Sequence, residues 1–220
     1  MRAQYGVFCS VNSTRFQRQC VLLSVVAIGV LVSLTAIGAI SQEYFPAGAL
    51  SAVAKMDRIK AEWYSQELAA LHEPSLWQSS REHHNTEAYR FLWLRSFDAP
   101  ICVRVTLNRD GSGSLISKEG TVHGATERGK LTQAETRSLS REQVKSFLDL
   151  VGSVKFWDMR SPTSELGGVD GSQWIMEGEK QGTYKVVDVW SAPPTDPIHR
   201  IGAMLAFDFA KLQVPSQKIY

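Results

Sequence analysis

The stretch AYRFLWLRSFDAPICVRVTLNRDGSGSLISK, residues 88–118, decides the fold. Large apolar residues alternate with other residues on both sides of Pro100, which is the period-two pattern of two β-strands. Residues 108–113 have the composition of a turn, and residues 114–118 return from it as the partner strand of a hairpin. The stretch therefore predicts an antiparallel sheet.

Two helix starts follow this sheet. Ser140 and Gln143 fit a capping box, in which side chains satisfy the free backbone N–H groups of the first turn. Asp196 followed by Pro197 marks the second start. Strand-like segments precede and separate these helices, at residues 130–136, 172–177 and 184–190. The order of elements predicts an α+β domain over residues 87–214, with a mainly antiparallel sheet and two helices packed on it.

The N-terminal part contains a long apolar segment. Residues 20–40, CVLLSVVAIGVLVSLTAIGAI, carry no charged side chain. At about 1.5 Å per residue this segment makes roughly 31 Å of helix, the thickness of a bilayer's hydrocarbon core. The pattern predicts one transmembrane helix. A cleaved signal peptide is the alternative, since Ala36-Ile37-Gly38 resembles a small-residue cleavage site.

The charges around this segment predict its orientation. The first 42 residues contain three arginines, all before the apolar segment, and Glu43 is the first charged residue after it. The positive-inside rule then places residues 1–19 in the cytoplasm and the remainder on the outer side. The remainder keeps the other 21 basic side chains and all 22 acidic ones. This balance argues against nucleic acid as a partner.

Residues 41–86 are predicted to form a linker and a stalk helix. Apolar residues recur there at helical spacing, at Leu50, Val53, Met56, Ile59, Trp63, Leu68 and Leu71. The domain, the membrane surface or a second copy of the chain would have to cover this stripe, so a homodimer through the stalk helix is one arrangement that it allows. Residues 78–85 are polar and predict a loop.

One turn has the spacing of a calcium loop. Asn108, Asp110, Ser112 and Glu119 stand where an EF-hand places four of its ligands. Only Asp110 and Glu119 are anionic, and the flanking segments are strand-like rather than helical. An ordinary hairpin turn is therefore favoured over a calcium site.

The last hairpin carries the main candidate binding residues. A turn at Lys180 and Gln181 would place Trp174 opposite Val187. One face of the hairpin would then combine acidic and aromatic side chains, namely Glu177, Tyr184, Asp188 and Trp190. In this register Asp188 lies about 13 Å along the strand from the position opposite Glu177, beyond the separation of a glycosidase carboxyl pair. A peptide or glycan surface is favoured, unless helices cover this face.

The sequence holds few other signs of catalysis. It lacks the HExxH, Cys-x-x-Cys, Walker A, dinucleotide-glycine and G-x-S-x-G patterns, so neither a metal nor a cofactor is predicted. An envelope hydrolase remains the alternative function, and it would use Asp170, Glu177 or His123. Cys102 lies in an apolar run, which favours a buried thiol over a reactive one.

A longer motif surrounds the same hairpin. The segment GVDGSQWIMEG at residues 168–178 is followed by Gly182-Thr183-Tyr184 and by Trp190-Ser191. It resembles a family of bacterial membrane-anchored envelope proteins with the pattern D-G-x-x-W-x-x-E-G, G-x-Y and W-S. In this chain Ala192 separates the W-S element from the proline that follows it in the pattern. The resemblance implies a bacterial source and a periplasmic domain, and it implies no activity.

Together these patterns predict a single-pass protein of the bacterial inner membrane. Its C-terminal domain would be a small, non-catalytic binding module in the periplasm, with a protein partner or an envelope glycan as its ligand. A toxin-immunity protein is one concrete form of this function. The candidate binding residues are Asp170, Trp174, Glu177, Tyr184, Asp188 and Trp190. The alternative is an envelope hydrolase acting on cell-wall or ester substrates.

Overall fold

The structure, a computed structural model, describes residues 43–83, 85–122, 129–160 and 170–220. Residues Glu43–Tyr220 form one compact unit. The predicted cytoplasmic tail and transmembrane helix, residues 1–40, lie outside the described residues. Within the described ranges, every helix is too short or too polar to cross a bilayer.

The unit is built on one six-stranded antiparallel sheet. Its strands are β1 Glu87–Arg95, β2 Ile101–Leu107, β3 Gly113–Gly120, β4 Leu131–Leu139, β5 Ser172–Lys180 and β6 Thr183–Trp190. They lie side by side in the order β4-β3-β2-β1-β5-β6. The predicted α+β fold with an antiparallel sheet is confirmed.

Helices lie on both faces of the sheet. They are α1 Ala54–Ala70, α2 Leu76–Glu82, α3 Arg141–Ser153 and α4 Pro197–Ala203, and α4 continues into a wider helical turn, Met204–Phe209. The Ser140–Gln143 capping box at the start of α3 and the Asp196 cap at the start of α4 are confirmed. The loop predicted at residues 78–85 is wrong over its first half. Helix α2 runs there instead because the Ser75 side chain accepts a hydrogen bond from the Gln78 N–H.

The first face of the sheet forms the main hydrophobic core. Phe91 and Trp93 of β1 lie between strands β2 and β5 and are fully buried. Phe147 of α3 and Ile201 of α4 pack in the same cluster. The alternation that predicted β1 and β2 thus corresponds to one apolar face directed at α3 and α4.

The second face is covered by the N-terminal helix. Tyr64, Leu68 and Leu71 pack there against Leu92 of β1 and Ile175 of β5. The predicted stalk helix is therefore covered by the sheet of its own domain.

The face that α1 directs at the sheet is more polar than the sequence suggested. Its buried side chains are Asp57, Lys60, Tyr64, Glu67 and Leu68. The predicted apolar stripe is wrong in its middle part, because Val53 is 57% exposed and Ile59 is 39% exposed. Lys60 and Tyr64 point inward because Asp188 of the sheet bonds to both. Asp57 instead accepts hydrogen bonds from the backbone N–H groups of Gly48, Leu50 and Ser51.

The hairpin of β5 and β6 differs from its predicted register. Lys180 pairs with Thr183, so that Trp174 lies opposite Val189 rather than Val187. The turn has positive φ at Gln181 and Gly182, the combination that a two-residue type I′ turn requires. The difference of two residues along the partner strand leaves each side chain on its predicted face.

Candidate functional site

The predicted site residues are divided between the two faces of the sheet. Trp174 belongs to the main core, where its ring lies 4.8 Å from that of Trp93 and stacks on His199 at 4.3 Å. The Trp174 indole N–H donates to Ser172 Oγ at 2.9 Å and to the Tyr220 carbonyl at 3.1 Å. Trp174 is therefore a structural residue of the core.

The other five residues do not form one surface either. Asp170 is exposed at the start of β5, and Trp190 is half-buried at the end of β6. Glu177 and Asp188 are no more than 1% exposed, under the helices of the second face. The mixed aromatic and polar face predicted for this hairpin exists, but α1 and α2 cover it.

Glu177 is held by two partners. Arg90 of β1 donates to its Oε2 through Nε at 2.7 Å and lies within 2.6 Å through Nη2. The Tyr184 hydroxyl donates to its Oε1 at 2.7 Å. Burial raises the pKa of Glu177, and Arg90 and Tyr184 act against that effect. Both carboxylate oxygens are engaged inside the protein.

Glu73, in the segment between α1 and α2, joins three cations. Its carboxylate lies 2.8 Å from Arg104 Nε, 2.7 Å from Lys118 Nζ and 3.5 Å from Arg90 Nη1. Burial opposes ionisation, but the charges of Arg90, Arg104 and Lys118 outweigh it and hold the pKa of Glu73 below its usual value. This carboxylate ties the N-terminal segment to β1, β2 and β3.

Asp188 of β6 connects the sheet to α1. Its Oδ2 accepts hydrogen bonds from Lys60 Nζ at 2.8 Å and from the Tyr64 hydroxyl at 2.9 Å. Burial and the Asp188 charge raise the pKa of Tyr64 far above its usual value, so the hydroxyl stays protonated and donates. Buried groups of this kind are costly to separate, and they fix α1 on the sheet.

Sequence reasoning missed Arg90, Glu73 and Lys60. Arg90 itself was the signal that the sequence offered, because it is a charged residue inside the apolar run Tyr89–Trp93. If that strand is buried on both faces, the Arg90 guanidinium needs a buried carboxylate as its partner. Lys60 gave no such signal, because α1 contains charged residues on every side.

The structure separates Glu119 from the other three calcium-loop residues. Asp110 accepts hydrogen bonds from the backbone N–H of Ser112 at 2.9 Å and from its hydroxyl at 2.6 Å, within the β2–β3 turn. Glu119 lies near the far end of β3, opposite Ile101. It is about 20 Å along the strand from the turn. The turn is an Asx-stabilised hairpin turn, and Asn108 also donates to Ser112.

The remaining chemical candidates are buried or undescribed. Cys102 is 1% exposed, and burial raises the pKa of its thiol well above the usual value. His123 lies outside the described residues. Among the residues that the structure does describe, no three His, Cys, Asp or Glu side chains are placed to hold a metal ion.

Strand β4 forms one of the two edges of the sheet that the structure describes. Strand β4 pairs with β3 alone among the described strands. Six of its residues are exposed, and they lie on both of its faces. Glu135 and Arg137 form an ion pair at 2.9 Å on this strand, each 43% exposed in its side chain. An unpaired strand edge presents backbone N–H and C=O groups that another strand can bind.

Comparison with known proteins gives no relative. No protein-family model, no curated protein and no solved structure matches the chain. The resemblance to membrane-anchored envelope proteins therefore stays a prediction.

Proposed function

We propose that this chain is a single-pass protein of the bacterial inner membrane that presents a non-catalytic binding domain in the periplasm. The membrane part of the proposal is supported by the uncharged segment 20–40 and by the arginines before it. The binding part is supported by the contacts of the acidic side chains and by the open edge of the sheet.

The observation that carries the proposal is how the buried carboxylates are used. Asp188 is bonded to Lys60 and Tyr64 of α1. Glu73, between α1 and α2, is bonded to cations of the sheet. Glu177 is bonded to Arg90 and Tyr184 within the sheet. A general acid or base has to reach a substrate atom at hydrogen-bond distance. All three carboxylates are buried and bonded inside the protein, so their contribution is to stability.

The accessible edge favours a protein as the ligand. A strand edge binds an extended backbone through main-chain hydrogen bonds, and side chains on both faces add specificity. Such a surface fits a polypeptide better than a glycan, which lacks a repeating N–H and C=O ladder. A toxin-immunity protein, which acts by binding another protein, is one form of this function.

Site-specific photocross-linking tests this proposal. A benzophenone residue replaces Thr136 of β4 in the full-length chain in bacterial cells, and a matched chain carries it at Ser146, an exposed position of α3. We expect a protein adduct from position 136 and none from position 146. Equal adducts at both positions, or none at either, would overturn the proposed role of β4.

Two further measurements test the other parts of the proposal. A periplasmic reporter enzyme fused after Tyr220 is expected to be active, and activity of a cytoplasmic reporter instead would reverse the orientation. Hydrolysis of a cell-wall or ester substrate that Glu177→Gln abolishes while the fold persists would favour the hydrolase.

A further inference from the structure

The backbone groups on the free edge of β4 follow from the sheet register. The Asn108 N–H donates to the Ser112 carbonyl and closes the β2–β3 hairpin. Hydrogen-bonded pairs alternate along antiparallel strands, so β3 directs Gly113, Leu115, Ser117 and Glu119 toward β4. Their partners in β4 are Leu139, Arg137, Glu135 and Gln133. The residues between them direct their backbone groups outward, and in the regular part of the strand these are Ala134, Thr136 and Ser138.

Strand β4 has nine residues and contains neither proline nor lysine. Its charged side chains are Glu135 and Arg137, which limit pairing to a strand of complementary charge. The irregularity in its pairing with β3 is confined to the Glu119/Gly120 end. From Ala134 to Ser138 the strand is regular, and among the described strands none pairs with its outer edge.

The charges of β4 are complementary to those of an antiparallel copy of itself. A two-fold axis at Thr136 would place Glu135 of each copy opposite Arg137 of the other. This is a non-hydrogen-bonded pair, in which side chains lie closest, and opposite charges facing each other across strands are stabilising. If either copy shifts by one residue pair, at least one of the two contacts between Glu135 and Arg137 is lost.

The opposite face of the strand also fits a second copy. In the same register Thr136 meets Thr136 of the other copy, and Ala134 meets Ser138. These side chains are small or β-branched, which suits close cross-strand packing. The three outward pairs are hydrogen-bonded pairs, so the contact gains about six main-chain hydrogen bonds.

The pairing has a natural end at Ser140. Its N–H donates to Gln143 Oε1 at 2.9 Å, and its carbonyl accepts from the Val144 N–H at 3.0 Å. Both groups are used by the cap of α3, so the ladder stops after Ser138.

We propose that β4 binds β4 of a second copy of this chain, antiparallel and centred on Thr136. This inference rests on the proposed function, because it names the ligand of the same edge. A single strand pair buries less surface than a stable soluble dimer. Confinement of both copies to one membrane raises their effective concentration and offsets that weakness.

Disulfide cross-linking tests the register in the full-length chain. Cys9 and Cys20 are first replaced by Ser, which leaves the buried Cys102. In membranes treated with a mild oxidant, Thr136→Cys is expected to form a covalent dimer, because the Cα atoms of a hydrogen-bonded pair lie about 5.5 Å apart. Thr132→Cys on the same strand is the control, since its two copies would lie about 26 Å apart.

Mixed variants sharpen this test. One chain carries Ala134→Cys and a second chain, with a tag of different size, carries Ser138→Cys. We expect disulfide dimers that contain one chain of each kind, and few dimers of two identical chains. Equal dimer yields from Thr136→Cys and Thr132→Cys would overturn the proposal, as would dimers of Ala134→Cys with itself.

A charge exchange tests the ion pairs. Glu135→Arg alone and Arg137→Glu alone each place like charges across the axis, and we expect at least a several-fold lower dimer yield from each. Co-expression of the two variants restores both attractions and is expected to return the yield. Unchanged yields in the single variants would contradict the assigned register.

The photocross-linking at position 136 separates the two proposals. An adduct of twice the chain mass supports the second copy. An adduct with a different polypeptide overturns the second copy and leaves the binding function standing. No adduct overturns the use of the edge altogether.

Discussion

Lys60 Nζ lies 2.8 Å from Asp188 Oδ2, and neither side chain is more than 2% exposed. The pair joins α1, near the start of the described chain, to β6 at one edge of the sheet. Together with the contacts of Glu73, it makes the N-terminal segment an integral layer of the fold.

Separating this pair is expected to be costly. Asp188→Asn leaves the Lys60 ammonium buried without a carboxylate and should lower the free energy of unfolding by about 3–5 kcal/mol. Lys60→Met combined with Asp188→Asn should lose less than the sum of the single changes, by at least about 1 kcal/mol. Urea unfolding of the full chain in detergent, followed by tryptophan fluorescence, measures both. Strict additivity would contradict the pairing.

Glu73 should make stability depend on acid. At pH 7, Glu73→Gln is expected to lower the free energy of unfolding by about 3 kcal/mol. The pKa of Glu73 is lowered in the folded protein, so the unfolded chain takes up the proton first as the pH falls. The stabilisation is complete above the unfolded pKa of about 4.3 and is lost as the pH falls through the folded pKa.

The same unfolding experiment, repeated between pH 7 and pH 3, checks whether the stabilisation by Glu73 is lost in acid. The difference between the wild type and Glu73→Gln should narrow below about pH 5. Glu62→Gln, at an exposed position of α1, is the control and should change stability at pH 7 by less than about 0.5 kcal/mol. A difference that widens in acid would contradict the assignment.

Two helical glycines should respond in opposite directions to alanine. A Cβ at Gly202 in α4 would lie 2.7 Å from Cε2 of Phe91, so Gly202→Ala should destabilise the fold by about 1–3 kcal/mol. A Cβ at Gly152 in α3 meets nothing within 4 Å, and Gly152→Ala should stabilise by about 0.5 kcal/mol. Thermal unfolding distinguishes the two, and equal shifts would argue against the packing of α4 on β1.

The Cys102 thiol should be inert in the folded protein. Its burial and raised pKa leave little thiolate and no access, so disulfide reagents should react on the order of 100-fold more slowly than with an exposed cysteine. A chain with Cys9→Ser and Cys20→Ser isolates this thiol, and Ser146→Cys in the same chain supplies the exposed reference. Rapid labelling of Cys102 without denaturant would contradict its position under α1.

The sequence predicted those elements whose signals are local. The alternation around Phe91 and the capping box at Ser140 and Gln143 depend on neighbouring residues, and both are confirmed. The inward face of α1 was not predictable in this way. Lys60 and Tyr64 recur at helical spacing just as the apolar residues do, and their contact with Asp188 on a distant strand decides which face points inward.

The candidate site was harder to predict than the fold. Glu177 and Asp188 were correctly assigned to one face of the hairpin, but that face is covered. Their partners Arg90 and Lys60 lie 87 and 128 residues away along the chain, which no local pattern encodes. The open edge at β4 likewise depends on strand order, and strand order is a property of the whole sheet.

The strand order also sets a sequence of events in time. As the chain is made, β1 can pair with β2 at once, but its other edge must wait for β5, and 87 residues separate Arg90 from Glu177. Until β5 has been synthesised, a strand that is buried along nearly its whole length has a bare edge, and Arg90 has no Glu177. Contacts over such separations form slowly. The middle of this sheet can therefore be completed only after β2, β3, β4 and α3 have been made.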